Sequence, residues 1–538
     1  MGNTTKLPGF IGGSYRSEAV FADVQRCVNW YPEIVESGVG ENSMTLMPCP
    51  GTTRFLGTGS IVTAGTDTGG SPRGMIELNG QLFIVIGTSF VEVGPDGSFT
   101  RRNFSNGNDG VAKGTYEPLA DDGKPVSMAA NNVGQIFICA GGQGYCYGVP
   151  QQVNTPAPGT TPPTPTGFQS IPNDGVNFFG CSQVIFLDDY FCVLVPNSST
   201  IQVSALNDGT TWGSGPAGVN VALVEGQADH LSAISVDREF LYLWGNARAE
   251  VWYDAGSSFP FQIQPGAFIE QGIAAPFSVQ KVDNAQMWLG QDARGNAVVW
   301  RSNGFTPLRV STHATEWAWQ QYSTVADARA FTYQQNGHNF YVLTFPTADA
   351  TWVYDVATKL WHERTFTDAN GLPHACAAAF HAFAFGQHLV QCSRVGTGVI
   401  LGQVFVLSTS VYQDLVASVY PLTSAYPIVR DRITPHVYEE DKRYFCNYIE
   451  LRCQTGIGLS GGMVPGKLPQ MILRVSRDGG ENWGEEQWKT AGAIGNYMQR
   501  LKWNLPGAWR DGVLWFRATD PVQWALIDCY INGELGSN

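Results

Sequence analysis

The chain has 538 residues, 14% charged and 12% aromatic, with 62 glycines and a formal net charge of −14. Charge far below the usual ~25%, with this aromatic and glycine content, suits short strands and tight turns and excludes a disordered chain. Basic side chains number 32 against 46 acidic ones, which excludes a broad phosphate-binding surface.

The first six residues, M-G-N-T-T-K, carry no apolar leader, and Lys6 sits where a myristoylation signal has Ser or Thr. No 18-residue apolar run occurs, so no membrane anchor is predicted. Residues 1–60 contain Q-R-C-V-N-W-Y-P-E at 25–33 and L-M-P-C-P-G-T at 46–52. Pro48 and Pro50 deny ladder donors, so this segment reads as an extended arm or edge pair.

Meanders begin near Arg73. Strands are predicted at 75–78, 81–86 and 90–93, then at 127–130, 135–140 and 145–149. The Pro/Thr-rich stretch 150–167 cannot enter a sheet interior and reads as a surface loop between units. Similar units follow through residues 184–204, 233–253 and 278–310. Residues 331–364 give the clearest meander, with an Asn336-Gly337 turn whose two residues both accept the positive φ of a two-residue hairpin. Residues 376–406 close the series. The pattern predicts an all-β chain: a six- or seven-bladed β-propeller over 61–410, with the arm 1–60 packing against a C-terminal β-rich domain at 411–538. Helix is expected only at 316–322.

The eleven cysteines include no C-x-x-C pair, and the predicted state is reduced, buried thiols. His374, Cys376, His381 and His388 fall in one span, but their steps match no zinc spacing and odd steps along a strand switch faces, so no metal is expected. G-I-G-L-S-G-G at 456–462 matches both a dinucleotide and a nucleophile-elbow pattern, yet Pro465 and Pro469 follow where either would need a helix. S-R-D-G-G-E-N-W at 476–483 matches the Asp-box pattern except at Asn482. There Ser476 opens the motif, Asp478 can accept turn amides, Gly480 can take positive φ, and Trp483 can cover the hairpin. A degenerate relative at 205–212 keeps Asn207, Gly209, Thr211 and Trp212 in register, with its serine one place early. Both are expected to be structural turns. No acid pair, catalytic residue or cofactor site stands out.

These stretches, with P-G-A-F-I-E-Q-G at 265–272, V-S-T-H-A-T-E-W at 310–317 and T-W-V-Y-D-V-A-T-K-L-W-H-E-R at 351–364, occur in an order that resembles the packaged-DNA stabilisation proteins of short-tailed bacteriophages. The resemblance spans about 15–530. It implies a non-enzymatic virion tail protein, assembled in the host cytoplasm. It implies a homo-hexameric hub or nozzle ring below the portal and adaptor, bearing tail fibres or tailspikes and a needle or plug. Such a ring retains packaged DNA and passes it at ejection without reading its sequence. The competing expectations are a propeller glycosidase or sialidase, which needs acids and arginines converging at the axis, and a glycan-binding or scaffold propeller. A sialidase-like F-R-I-P stretch is absent.

Overall fold

In the computed structural model, residues 3–37, 42–55, 70–148, 167–213, 221–223, 230–291, 295, 297–393, 404–414, 426–439, 442–460 and 465–536 are described. The loop expected at 150–167 lies outside these residues except at its last position. Five successive antiparallel sheets have four strands each, running from Pro72–Leu78 in the first to Thr306–Arg309 in the fifth. A sixth opens with Arg329–Gln335, His338–Phe345, Ala350–Asp355 and Leu360–Glu363, and a seventh with Ala378–Ala384, Gln387–Cys392 and Val404–Ser408. The first strand of the seventh packs on the first strand of the first, closing the ring.

The blade number follows from how the strands are buried. In Gln135–Ala140, Ile136 and Ile138 pack with Phe83 and Val85 of the blade before, while Phe137 packs with Phe191 and Val193 of the blade after. Both faces of a blade are covered, so its middle strands read as continuous apolar runs. Seven such inter-blade clusters close the circle. The propeller therefore has seven blades, the higher of the two expected numbers.

Two-residue turns join first and second strands with both residues at positive φ: Asn79-Gly80, Asp188-Asp189, Asp283-Asn284, Asn336-Gly337 and Phe385-Gly386. That is the backbone a right-twisted two-residue hairpin demands.

The seventh blade takes its next strand from the N-terminus. Gly51–Arg54 pairs antiparallel with Val404–Ser408, although it lies inside the expected arm 1–60. The physical reason is an open edge: without a partner, Val404–Ser408 would present unpaired amides. Gln413–Asp414 and Tyr426–Pro427 extend the same sheet beyond position 410. Blade six likewise continues outward, because Val24–Val28 joins Leu360–Glu363 to a sheet of Arg430–Ile433, Asp511–Ala518, Gln470–Ser476 and Gln487–Thr490. A second sheet, Trp30–Ile34, Met44–Pro48, Leu526–Leu535, Tyr444–Cys453 and Leu501–Trp509, packs on it. Trp30, Ile449, Leu473, Trp503, Phe516 and Trp524 fill the space between, making a β-sandwich.

Among the described residues the one helix is His313–Gln320. It begins three residues before the expected start because Thr312 caps it in a reciprocal pair with Thr315. One further difference concerns the thiols. Cys139, at the end of a blade-two strand, forms a disulfide with Cys181 at the entry to blade three, with Cα atoms 5.6 Å apart. Their separation of 42 residues carries no spacing signature, so sequence could not pair them. The other nine cysteines are free, and burial pushes the Cys49 thiol up to about 11.

Candidate functional site: the arm that locks propeller to sandwich

Residues 25–33 run between the two domains, and strand alternation lets them hold both. Trp30 enters the sandwich core, while its neighbour Tyr31 enters the cluster between blades six and seven, edge-on to Phe340 at 5.5 Å. Asn29 sits at φ 57° and joins three segments. Its amide donates to the Thr365 carbonyl at 3.1 Å, the Thr365 hydroxyl at 2.9 Å and the Val429 carbonyl at 2.7 Å, and its oxygen accepts from the Thr365 amide at 3.0 Å. Arg26 grips Glu363 with two parallel bonds of 3.0 and 2.5 Å. The Glu363 charge outweighs burial and raises the Arg26 pKa.

Arg432 is the keystone of the same junction. Fully buried on Arg430–Ile433, it donates to the carbonyls of Phe10 (2.6 Å), Gly13 (3.1 Å), Arg26 (3.2 Å) and Gly9 (2.7 Å) and to the Gln25 side chain (2.8 Å). A guanidinium has five N–H groups, and all five are used. Burial lowers its pKa to about 10, so it stays charged at neutral pH. The turn it organises needs Gly13, where a Cβ would lie 2.4 Å from the Trp361 carbonyl oxygen. On the opposite face of the strand, Asp431 accepts from Arg517 at 2.7 and 2.9 Å and from the Trp515 indole at 2.8 Å.

A third clasp lies at the far end of the arm. His338 Nδ1 is 2.8 Å from Asp355 and its Nε2 is 2.8 Å from Glu33. Burial disfavours the charged ring, but the two carboxylates outweigh it and raise the His338 pKa. Nearby, Arg364 donates to the Pro50 carbonyl at 2.9 Å. Neither Arg432 nor His338 stood out in the sequence. The available signal was V-R-D-R-I at 429–433, a β-like run with charges on both faces.

The Asp-box at 476–483 is a hairpin turn on the sandwich, facing the arm. Asp478 accepts from the Asn482 amide at 3.0 Å and the Asn482 side chain at 2.9 Å. Ser476 donates to Asp478 at 2.7 Å and accepts from the Gly480 amide at 2.8 Å. Gly480 has φ +100°, and Trp483 packs edge-on to Trp515 at 5.2 Å. In the relative at 205–212 the roles shift by one. Asn207 takes positive φ, and its side-chain oxygen is buried with no hydrogen-bond partner among the described residues. Asp208 instead accepts from the Thr210 amide and from the Thr210 and Thr211 hydroxyls. The Trp212 indole donates to the Gly209 carbonyl at 2.7 Å, and its ring lies 5.0 Å from both Phe137 and Phe178.

At the axial mouths basic and acidic side chains meet in ion pairs. Near one mouth Arg73 is engaged by Asp122 at 2.9 Å; near the other, Lys281 pairs with Asp237 at 3.0 Å and Arg301 with Asp283 at 2.8 Å. The structure also divides the histidine span. His374 is held by Asp349 at 2.6 Å, whereas His381 and His388 meet each other at 3.0 Å. Residues 456–460 form a loop, with the Gly456 amide donating to the Ala491 carbonyl at 3.0 Å. No helix follows among the described residues.

Two family models match this architecture: residues 6–365 match "Bacteriophage P22 Gp10, beta-propeller" and residues 430–534 match "Bacteriophage P22 Gp10, beta-sandwich". The chain belongs to the bacteriophage P22 Gp10 family. It is a bacteriophage structural protein. The propeller match begins at residue 6 and so takes in the arm. No curated protein sequence matches. Solved structures with overall similarity include the N-terminal domain of Nup159 (TM-score 0.35, 8% identity, 67% of this chain and 94% of that one) and the WD40 domain of Toxoplasma gondii coronin (0.33, 8%, 74% and 91%). A glycoside hydrolase family 43 arabinoxylan arabinofuranohydrolase from Bacillus subtilis scores 0.23 at 10% identity, covering 87% and 97%. Scores this low carry no functional argument.

Proposed function

We propose that this chain is a non-enzymatic tail hub subunit: six copies form a nozzle ring below the portal and adaptor, retain packaged DNA and conduct it at ejection. The ring would also carry tail fibres or tailspikes and a needle or plug. The observation that supports a load-bearing role is the arm. Blade seven is finished by Gly51–Arg54, blade six continues into the sandwich through Val24–Val28, and Arg432 ties Val24–Val28 to the N-terminal turn. A pull on the sandwich is thereby passed to the propeller through paired strands rather than through a single linker. A propeller hydrolase would instead need acids and arginines converging on a cleft at the axis. Negative-stain microscopy of the purified protein tests the reading. Six-fold rings with a central channel are expected, and monodisperse single propellers at assembly concentrations would overturn it.

A further inference from the structure

We propose that His381 and His388 form a two-histidine site for a divalent transition-metal ion that favours imidazole, such as Zn²⁺, at one axial mouth of the propeller. The two residues are seven apart, but the Phe385-Gly386 turn reverses the chain between them. The register pairs His381 with Val390 and Phe383 with His388, so both histidines stand on one face as diagonal neighbours. Spacing along a single strand therefore does not describe them. His381 Nε2 and His388 Nδ1 are 3.0 Å apart. Zn–N bonds of ~2.1 Å hold adjacent nitrogens ~3.0–3.4 Å apart, so one ion could bridge the pair with little movement.

The rings are already fixed. His381 stacks on Phe331 at 6.0 Å and lies 6.0 Å from Tyr333; His388 meets Phe383 edge-on at 5.0 Å and Tyr333 at 6.1 Å. The pair faces a cavity of about 520 Å³ that also includes Lys281, Asp283, Gln334 and Asn339 among its lining residues. It has room for water to complete the coordination. Lys281 on the cavity wall is held by Asp237, and the lining carboxylate Asp283 is paired with Arg301. Without an ion, the nitrogens share one hydrogen bond. With an ion, both lone pairs turn to it, and the shared proton moves to the outer nitrogen of the ring that carried it.

Calorimetric titration of the full chain with ZnCl₂ tests this. One saturable ion per chain is expected at this site, with affinity reduced at least tenfold in His381→Gln and in His388→Gln and unchanged in His374→Gln. Should a variant fail to fold, anomalous scattering at the zinc edge from Zn²⁺-soaked crystals of the unaltered chain gives the answer, with a peak expected within bonding distance of both nitrogens. Absence of saturable binding, binding that survives either of the first two substitutions, or no peak between the rings would each overturn the proposal and leave the pair a hydrogen-bonded contact.

Discussion

Arg432 shows how one side chain can organise a junction whose other members are mostly backbone. Its planar fork reaches carbonyls of the N-terminal turn and of Val24–Val28 at once, a geometry that lysine, with three donors on one nitrogen, cannot match. Arg432→Lys should leave two acceptors buried and unpaired, costing about 2–4 kcal/mol. Urea unfolding checks this, and a loss below about 0.5 kcal/mol would show that the fork is dispensable. His338 makes a pH-dependent contribution. Its pKa in the folded chain is raised above the unfolded 6.5, because its bonds to Asp355 and Glu33 outweigh the opposing effect of burial. Stability from this clasp is fully present below pH 6.5 and is lost as the pH rises through the raised folded value. The neighbouring His362 is buried and neutral, with its pKa lowered to about 3, and pulls the other way, so the comparison must be with His338→Asn. The difference in unfolding free energy between wild type and variant should be widest at the acid end of a pH series and shrink above pH 6.5. A gap that widens with pH would refute the clasp. Neither residue was legible beforehand, since both act through partners more than 300 positions away in sequence, Phe10 for Arg432 and Glu33 for His338.

Among the elements, hairpins were the most legible where the turn residues announce themselves. Asn79-Gly80 and Asn336-Gly337 mark two of the five positive-φ turns. Asp188-Asp189 and Phe385-Gly386 do the same job with residues that signal it less clearly, because strand pairing imposes the conformation. The Asp-box turns are a case where motif and geometry part. In 476–483 the matched Asp478 is the acceptor, whereas in 205–212 the acceptor is Asp208, one place after the matched Asn207. Burial then ranks the consequences. Asp478 is exposed and Trp483 only partly buried, so Asp478→Ala should cost about 1 kcal/mol and Trp483→Ala less than the ~3–5 kcal/mol of a fully buried large aromatic. Trp212 is buried against Phe137 and Phe178, and Trp212→Ala should reach that range. Thermal and urea unfolding of the three variants give the order. If Asp478→Ala were the most damaging, or abolished a hydrolytic activity without loss of stability, the turn assignment would fail. The closing strand Gly51–Arg54 was the least legible element, because G-T-T-R has no apolar alternation and only the open edge of Val404–Ser408 explains its place.

For the whole molecule, the propeller and a second β domain were readable from repeated meanders and a change of texture near 408. The joining of arm strands to blades six and seven was not, because it pairs strands hundreds of residues apart and leaves no periodic trace. Charge is the property at this scale that bears on the proposed conduit. A channel that holds DNA in storage and releases it at ejection is poorly served by phosphate clamps, since each Lys or Arg neutralising a phosphate adds counterion-release affinity that resists sliding. A formal charge of −14 per chain, multiplied around a ring, means the assembly as a whole cannot be a basic sleeve. Several arginines are also committed within the fold: Arg432 to carbonyls, Arg26 to Glu363, and Arg517 to Asp431. An acidic or neutral lumen is therefore expected, with retention coming from constriction and neighbouring proteins. Isolated rings should bind duplex DNA weakly at about 150 mM salt, and the apparent affinity should change little as salt is varied. Tight binding there, falling steeply with added salt, would reveal a basic lining and remove the charge argument for free passage.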